Sequence, residues 1–289
     1  VFARARIRFC GFAPLLPGDS VTTVATPATP ARRRRRVGRR VLGWVAPALT
    51  FLALLALWWL ATIVFDWPPW LVPTPWDVAQ SLWEHRDLLP HQTWVTLWES
   101  LAGFGLAIVV GIPVGGLIAY SRFLERTIYP ILLGLNAVPK IAIAPILILW
   151  MGFGYGPKIL VSFLLCVFPI VIATATGLKQ TPAELVELAR SLSASPWQAF
   201  AKFRFPWALP EIFIGLKVAI SLAVIGAVIG EFVGSGSGLG WVIIQSGSNV
   251  DTPLAFASMT LLAVMSIVLF YALVALERLL VPWARHDAG

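Results

Sequence analysis

Two ionisable side chains fall where apolar surroundings make them costly. Lys140 lies about half-way along the apolar stretch 128–150, and Glu231 lies near the end of the apolar stretch 212–233. Charged groups at membrane depth pair, snorkel or line a water-filled path, which makes each a candidate for a translocation pathway. An ammonium at position 140 could attract an anionic solute, snorkel, or pair with an acid such as Glu231. A carboxylate at position 231 needs a partner or water, and could bond helix to helix or form part of a gate. Glu99 stands near the outer end of a third apolar stretch, 97–119, where it can reach water or a headgroup. No His/Asp/Glu cluster on the apolar stretches suggests a membrane-embedded enzyme, and no catalytic residue, metal ligand or bound cofactor is expected on this chain. His85, His91 and His286 lack ligand spacing and read as surface residues. Cys10 sits in a polar tail and Cys166 in an apolar stretch, which supports neither a disulfide nor a metal site.

Two glycine patterns imitate functional loops. Gly154-Tyr155-Gly156 has the triplet of a cation filter, but a filter needs a preceding pore helix and a Thr-Val approach. Phe153 precedes it here, between two apolar stretches, so a tight turn is expected. Gly236-Ser237-Gly238-Leu239-Gly240 follows an apolar helix rather than a strand, which excludes a dinucleotide loop and predicts a helix break near the outer membrane face. No G-x-x-x-x-G-K-[ST] sequence occurs, so no phosphate-cradling ATPase loop is expected on this chain.

The elements that must carry these residues are membrane helices. Of 289 residues, 58% are hydrophobic and only 12% charged, and several apolar runs approach the roughly 20 residues that cross a bilayer. Six spans are predicted, near 43–65, 97–119, 128–150, 158–178, 212–233 and 254–276. The net charge of +8 belongs to the beginning of the chain: ten arginines against Asp19 give residues 1–40 a charge of +9. That tail reads as disordered, with Arg32–Arg36, Arg39 and Arg40 held at the cytoplasmic face against anionic lipid rather than on nucleic acid. It lacks the apolar core and cleavage pattern of a signal peptide. With the N-terminus inside, Arg122, Arg126, Lys179, Arg190, Lys202, Arg204, Arg278 and Arg285 fall on the cytoplasmic side, and only Arg86 and Lys158 fall outside. Both termini are then cytoplasmic. The domain reading is a tail over 1–40, a membrane domain over 41–280 and a short closing tail over 281–289. Segment 66–95 collects Trp67, Trp70, Trp76, Trp83 and Trp94, which reads as an interfacial aromatic belt, with a surface helix starting at Thr74-Pro75. Gly111 and Gly115 permit close helix approach. Pro139, Pro145 and Pro169 are expected to kink their helices. Asp251 or Thr252 should cap the last span.

One polar interval stands out, residues 179–210. Thr181-Pro182-Ala183-Glu184 and Ser195-Pro196-Trp197-Gln198 both read as capping boxes with Pro at the first helical position. Two short helices are predicted, the first with Leu185, Leu188, Ala189 and Leu192 along one face. Neither is long enough to be stable alone. A capped, one-sided helix pair outside the bilayer is suited to a partner.

This interval resembles the cytoplasmic coupling loop of ABC importer permeases. Glu187 and Ala189 match its Glu-Ala-Ala element, Leu188 stands at the first Ala, Ser193 at the later Gly, and Leu209-Pro210 closes the pattern. A serine at the glycine position costs about 1–2 kcal/mol if the backbone turns left-handed there. Either the turn uses negative φ or the loop is strained. Pro139-Lys140, Pro145 and Trp150-Met151-Gly152-Phe153-Gly154 are similar to permeases of the nitrate, sulfonate and taurine type, and equally to those for thiamine-precursor pyrimidines or riboflavin. Glu231 followed by Gly238-Leu239-Gly240 also resembles the family. The match runs from about residue 45 to 280 and is poor at choosing a substrate.

The resemblance implies an all-α, six-helix type I importer fold working as a homodimer in a bacterial plasma membrane. It implies ABC ATPase subunits that bind the ATP, and an extracytoplasmic substrate-binding protein. Glu187 would meet the ATPase, with Ala189 and Leu192 packing in its groove and Ser193 and Pro210 shaping the loop. An ATP-independent channel or secondary transporter is the competing class. Such folds often carry inverted repeats, and no convincing repeat relates residues 43–150 to 158–276.

Overall fold

The computed structural model describes residues 36–283, with side chains from Leu49 onward. The expectations for the tail before Arg36 and for the last residues, including Arg285 and His286, lie outside the described residues. Every regular element described is helical. Helix α1 (Arg36–Val64) starts within the arginine run, and a boundary between two compact units falls inside it after Ala53. The contacts described below belong to the second unit.

A short surface helix, α2 (Pro75–Glu84), begins as expected, with a capping box in which Asp77 N donates to Thr74 Oγ1 at 3.2 Å and Thr74 N to Asp77 Oδ2 at 2.8 Å. Trp76 and Trp83 point away from the rest of the chain, both 71% exposed. Then come α3 (Leu89–Tyr120), α4 (Arg122–Ala137), α5 (Lys140–Met151) and α6 (Tyr155–Lys179). After the polar interval come α9 (Phe205–Gly234), α10 (Leu239–Ser248) and α11 (Thr252–Leu280), the last capped by Asp251 Oδ1 on Leu254 N. The polar interval itself carries α7 (Ala183–Ser191) and α8 (Pro196–Ala199).

Three of these helices make the centre. α6 lies between α3 and α9, and buries Val161, Cys166, Ile170 and Val171. Lipid gives helices no hydrophobic reason to associate, so small residues that let backbones approach must do so. Gly115 is such a residue: a Cβ there would stand 2.6 Å from Thr174 Cβ and 2.7 Å from the Val171 carbonyl. On the other side, a Cβ at Gly226 would stand 2.5 Å from Ser162 Cα. The pairing order makes α6 parallel to α3 and antiparallel to α9. Ser162 Oγ and Cys166 Sγ bond the Ala223 and Ala219 carbonyls of α9. Interhelical polar bonds of this kind add to small-residue packing inside a membrane.

The six predicted spans map onto helices, with two changes of shape. Among the described residues four helices are each long and apolar enough to cross a bilayer, and α4 with α5, bent by 89°, makes a fifth if the pair counts as one span. The apolar stretch Leu49–Val64 of α1 falls inside the first predicted span, 43–65, and is shorter than the four candidate spans. The kink expected at Pro139 is a full break in the third predicted span, 128–150: Val138 is extended and Pro139 caps α5. Pro145 and Pro169 stay inside continuous helices. The fifth span is also longer than predicted, since α8, a π turn at Phe200–Arg204 and α9 run on as one helix of 39 residues. Gly152 and Gly154 take positive φ in the turn before α6, where the false filter triplet lies.

Candidate functional site

The polar interval folds into a projecting hairpin built by two different devices. Ser195 caps α8 as expected, with Gln198 N donating to Ser195 Oγ at 3.3 Å and Ser195 N to Gln198 Oε1 at 2.9 Å. The Thr181 box does not form. Pro182 is the N-cap of α7, and the Thr181 hydroxyl instead donates to the Leu178 carbonyl at the end of α6. The expected second short helix is also corrected, because α8 continues into the fifth span. Phe200 stacks on Trp197 and tilts against Phe205 through the π turn, which carries the helix axis through without a break.

Between the two helices stands Ser193, with φ +53°. The Ala194 amide donates to the Ala189 carbonyl and the Ser193 amide to the Arg190 carbonyl, which together make a Schellman turn. The turn thus requires the left-handed conformation at the position where the resembled pattern has glycine. Ser193→Gly should relieve a penalty of about 1–2 kcal/mol, less the extra backbone entropy of glycine, for a net gain of about 0.5–1 kcal/mol. The expected result is a raised melting temperature without loss of helix content, measured in detergent.

Burial sorts the loop residues into two groups. Ala189 is 2% exposed, packed inside the hairpin, so its expected place in a partner's groove is corrected: a methyl already buried by its own chain has nothing to offer. Glu187 is exposed and has no bonded partner among the described residues. Leu188, Leu192 and Trp197 are 47%, 64% and 73% exposed, so the same hairpin leaves large apolar side chains open. Pro210 lies within α9, six residues past Arg204 at the end of the π turn, and belongs to the helix rather than to the hairpin surface.

A second polar group lies at the other end of the three-helix centre, about 30 Å away along α6 at 1.5 Å per residue. Glu99, Lys158 and Glu231, from α3, α6 and α9, are 0%, 4% and 1% exposed. Lys158 Nζ donates to Glu99 Oε1 at 2.6 Å and lies over the Tyr155 ring. Two expectations fall together here: Glu99 does not reach water, and Lys158 is no surface cation.

Glu231 holds the break between α9 and α10. Three successive amides that open α10 are each bound to a side chain: Gly238 N to Gln92 Oε1 at 2.6 Å, Leu239 N to Thr96 Oγ1 at 2.9 Å, and Gly240 N to Glu231 Oε2 at 2.6 Å. Thr96 Oγ1 also donates to Glu231 Oε1 at 2.7 Å. Helix openings leave such amides without partners, and a carboxylate there answers both the bond and the helix dipole. The glycines are steric necessities. A Cβ at Gly240 would stand 2.7 Å from Glu231 Oε2, and one at Gly238 would overlap the same carboxylate.

The geometry therefore separates the two candidate pathway residues. Glu231 is enclosed with both oxygens bonded and presents no surface to a solute, so it serves as a helix-to-helix fastener. Lys140 does not meet Glu231. Its Nζ donates to the Asn136 carbonyl and Oδ1 at 2.6 and 2.7 Å, across the α4–α5 break. A cation at the end of α4 also suits that helix's dipole. It remains half-exposed at the bend.

Sequence reading missed the Lys158–Glu99 pair and a second one, Lys217 Nζ to Glu277 Oε2 at 2.9 Å, joining α9 to α11. The signal was present in both cases, as one lysine and one acid each inside apolar stretches. Among the described residues, no three His, Cys, Asp or Glu side chains converge as a metal site.

Residues 107–286 match the family described as "Binding-protein-dependent transport system inner membrane component". A probable ABC transporter permease protein of Haemophilus influenzae is 37% identical over 78% of this chain and 93% of its own length. The riboflavin transport system permease protein of Chloroflexus aurantiacus is 37% identical over 83% of this chain and 91% of its own. A putative aliphatic sulfonates transport permease protein of Bacillus subtilis is 30% identical over 89% and 94%. The fold is similar to a chain of the inward-facing MetNI methionine ABC transporter, with a TM-score of 0.60, 22% identity, and coverage of 68% of this chain and 98% of that one.

Proposed function

The chain belongs to the family of binding-protein-dependent transport system inner membrane components, and from that premise we propose that it is the permease half of an ATP-driven importer that works as a homodimer. It is a membrane-embedded transport subunit with the all-helical fold of type I ABC importers. The observation that carries the mechanism is the capped hairpin at 179–210, with Glu187 exposed next to the exposed Leu188. Such a helix fits a groove on an ABC ATPase subunit, where the apolar side chains give area and the carboxylate gives register. ATP is bound by that subunit and not by this chain. Closing the two ATPases moves two hairpins, and each hairpin continues through the π turn directly into the fifth span. Because α8 and α9 are one helix, movement at the groove reaches the membrane without a flexible joint. Both termini then face the cytoplasm, in a bacterial plasma membrane, and a substrate-binding protein docks on the far side.

The substrate proposed is a small polar solute, with an anion such as a sulfonate, nitrate or taurine as the first reading. Lys140 supports it, as a half-exposed ammonium at the bend of a broken span. A second reading, a thiamine-precursor pyrimidine or riboflavin, is favoured by the higher identity to the riboflavin permease than to the sulfonate permease.

Gentle detergent purification of the tagged chain from its native membrane tests both levels. The expected result is recovery with a P-loop ATPase at two copies each, and with a binding protein whose ligand can then be screened. Recovery of the chain alone, with uptake in liposomes that needs no ATP, would overturn the importer reading in favour of a channel or secondary transporter.

A further inference from the structure

We propose that Glu99 and Glu231 share one bound proton, so that with the Lys158 ammonium they form an electrically neutral clasp across α3, α6 and α9. The argument begins with donors and acceptors. As a carboxylate, Glu231 accepts from the Thr96 hydroxyl and from the Gly240 amide, one donor on each oxygen. Glu99 Oε1 accepts from Lys158 at 2.6 Å. Glu99 Oε2 is fully buried and has no donor among the described residues. Thr96, which bonds Glu231 Oε1, lies one helical turn before Glu99 on α3, so the Glu99 and Glu231 carboxyl groups are neighbours. Two carboxylate oxygens cannot bond without a hydrogen between them, and two like charges at that separation do not both ionise readily.

A proton on Glu99 Oε2, donated towards Glu231, fills the only missing partner. It also balances charge, since two carboxyl groups with one ammonium otherwise leave a buried excess of one negative charge. Lys158 over the Tyr155 ring, 5.3 Å from its centroid, is placed as a cation. The titratable groups that face one another here are Glu99 on α3, Lys158 and Tyr155 on α6, and Glu231 on α9. α10 contributes the backbone amides of Gly238, Leu239 and Gly240. The clasp closes on those amides, so the proton bears on the outer break of the fifth span.

Infrared spectroscopy of the full chain in lipid bilayers at neutral pH tests this. The expected result is a carbonyl stretch of an undissociated carboxyl group that shifts in D2O and vanishes in Glu99→Gln. Glutamine also imitates a protonated glutamate, giving N–H to Glu231 and a carbonyl to Lys158, so Glu99→Gln should melt close to wild type. Glu231→Gln should lose the same band by letting Glu99 ionise against Lys158. It should melt lower, because a neutral amide oxygen is a weaker acceptor than a carboxylate for the Gly240 amide and no longer answers the dipole at the opening of α10. Absence of the band in the wild type, its persistence in Glu99→Gln, or a Glu99→Gln protein that melts as low as Glu231→Gln would overturn the proposal. Glu99 would then be a simple ionised partner of Lys158. The readout does not involve transport, so it stands or falls apart from the importer reading.

Discussion

ATP-driven uptake falls at least about thirty-fold in Glu187→Lys, while the amount of folded chain in the membrane stays at the wild-type level. The second half of that expectation follows from exposure. Glu187 lies on the open side of α7, bonded to nothing among the described residues, and surface substitutions of that kind usually change stability by no more than about 0.5 kcal/mol. The first half follows from what surrounds it. A charge next to the exposed Leu188 is desolvated when that side chain enters a groove, and interface residues in that setting contribute about 2 kcal/mol or more when lost. Reversal adds a like-charge clash with whatever cation the carboxylate would meet, and 2 kcal/mol is about thirty-fold. Ala189 provides the contrast. Its burial inside the hairpin means that a bulkier residue there should damage folding first. The check is uptake in proteoliposomes containing the ATPase and binding protein, with ATP inside, alongside quantitation of inserted chain. Wild-type uptake by Glu187→Lys would remove position 187 from the ATPase interface.

What could be read from the sequence was local chemistry repeated over enough residues to be unambiguous. Apolar runs near twenty residues predicted the membrane helices, and Ser195 with Gln198 predicted a cap that forms as drawn. The Thr181 box failed although its residues are equally good. Only Gln180, Thr181 and Pro182 separate α6 from α7, and the Thr181 hydroxyl finds the Leu178 carbonyl closer to hand. Pro139 breaks its span while Pro145 and Pro169 do not. At the break, Lys140 supplies an ammonium to the Asn136 carbonyl left open at the end of α4, a compensation that proline spacing alone does not encode. The charge asymmetry across the predicted loops placed Lys158 outside. That statistic describes loops, whereas Lys158 has a partner fifty-nine residues earlier on another helix. At the coupling hairpin, the glycine-to-serine departure was legible as a choice between negative φ and strain. The Schellman bonds from Ala194 and Ser193 decide it in favour of a left-handed serine.

Lys158→Met should destabilise the protein more than any other single replacement in the Glu99–Lys158–Glu231 cluster, by about 3–5 kcal/mol. Methionine nearly matches the length of the lysine stem and fills irregular space well, so little of that loss is packing. The cost comes from what remains. Glu99 Oε1 loses its only donor, and Glu231 stays enclosed at the opening of α10 with no balancing cation in the cluster. An uncompensated buried charge is far more damaging than a missing ion pair. Combining Lys158→Met with Glu231→Gln removes the leftover charge and should therefore recover more than 1 kcal/mol relative to the single variant. Neighbours in one network are expected to be non-additive in this sense. Thermal unfolding of the four members of the cycle, each in the same lipid–detergent mixture, measures the coupling directly. If the two substitutions simply add, Lys158 and Glu231 do not share an electrostatic network, and the α9–α10 break is held by Gln92, Thr96 and the glycine backbone without help from the lysine.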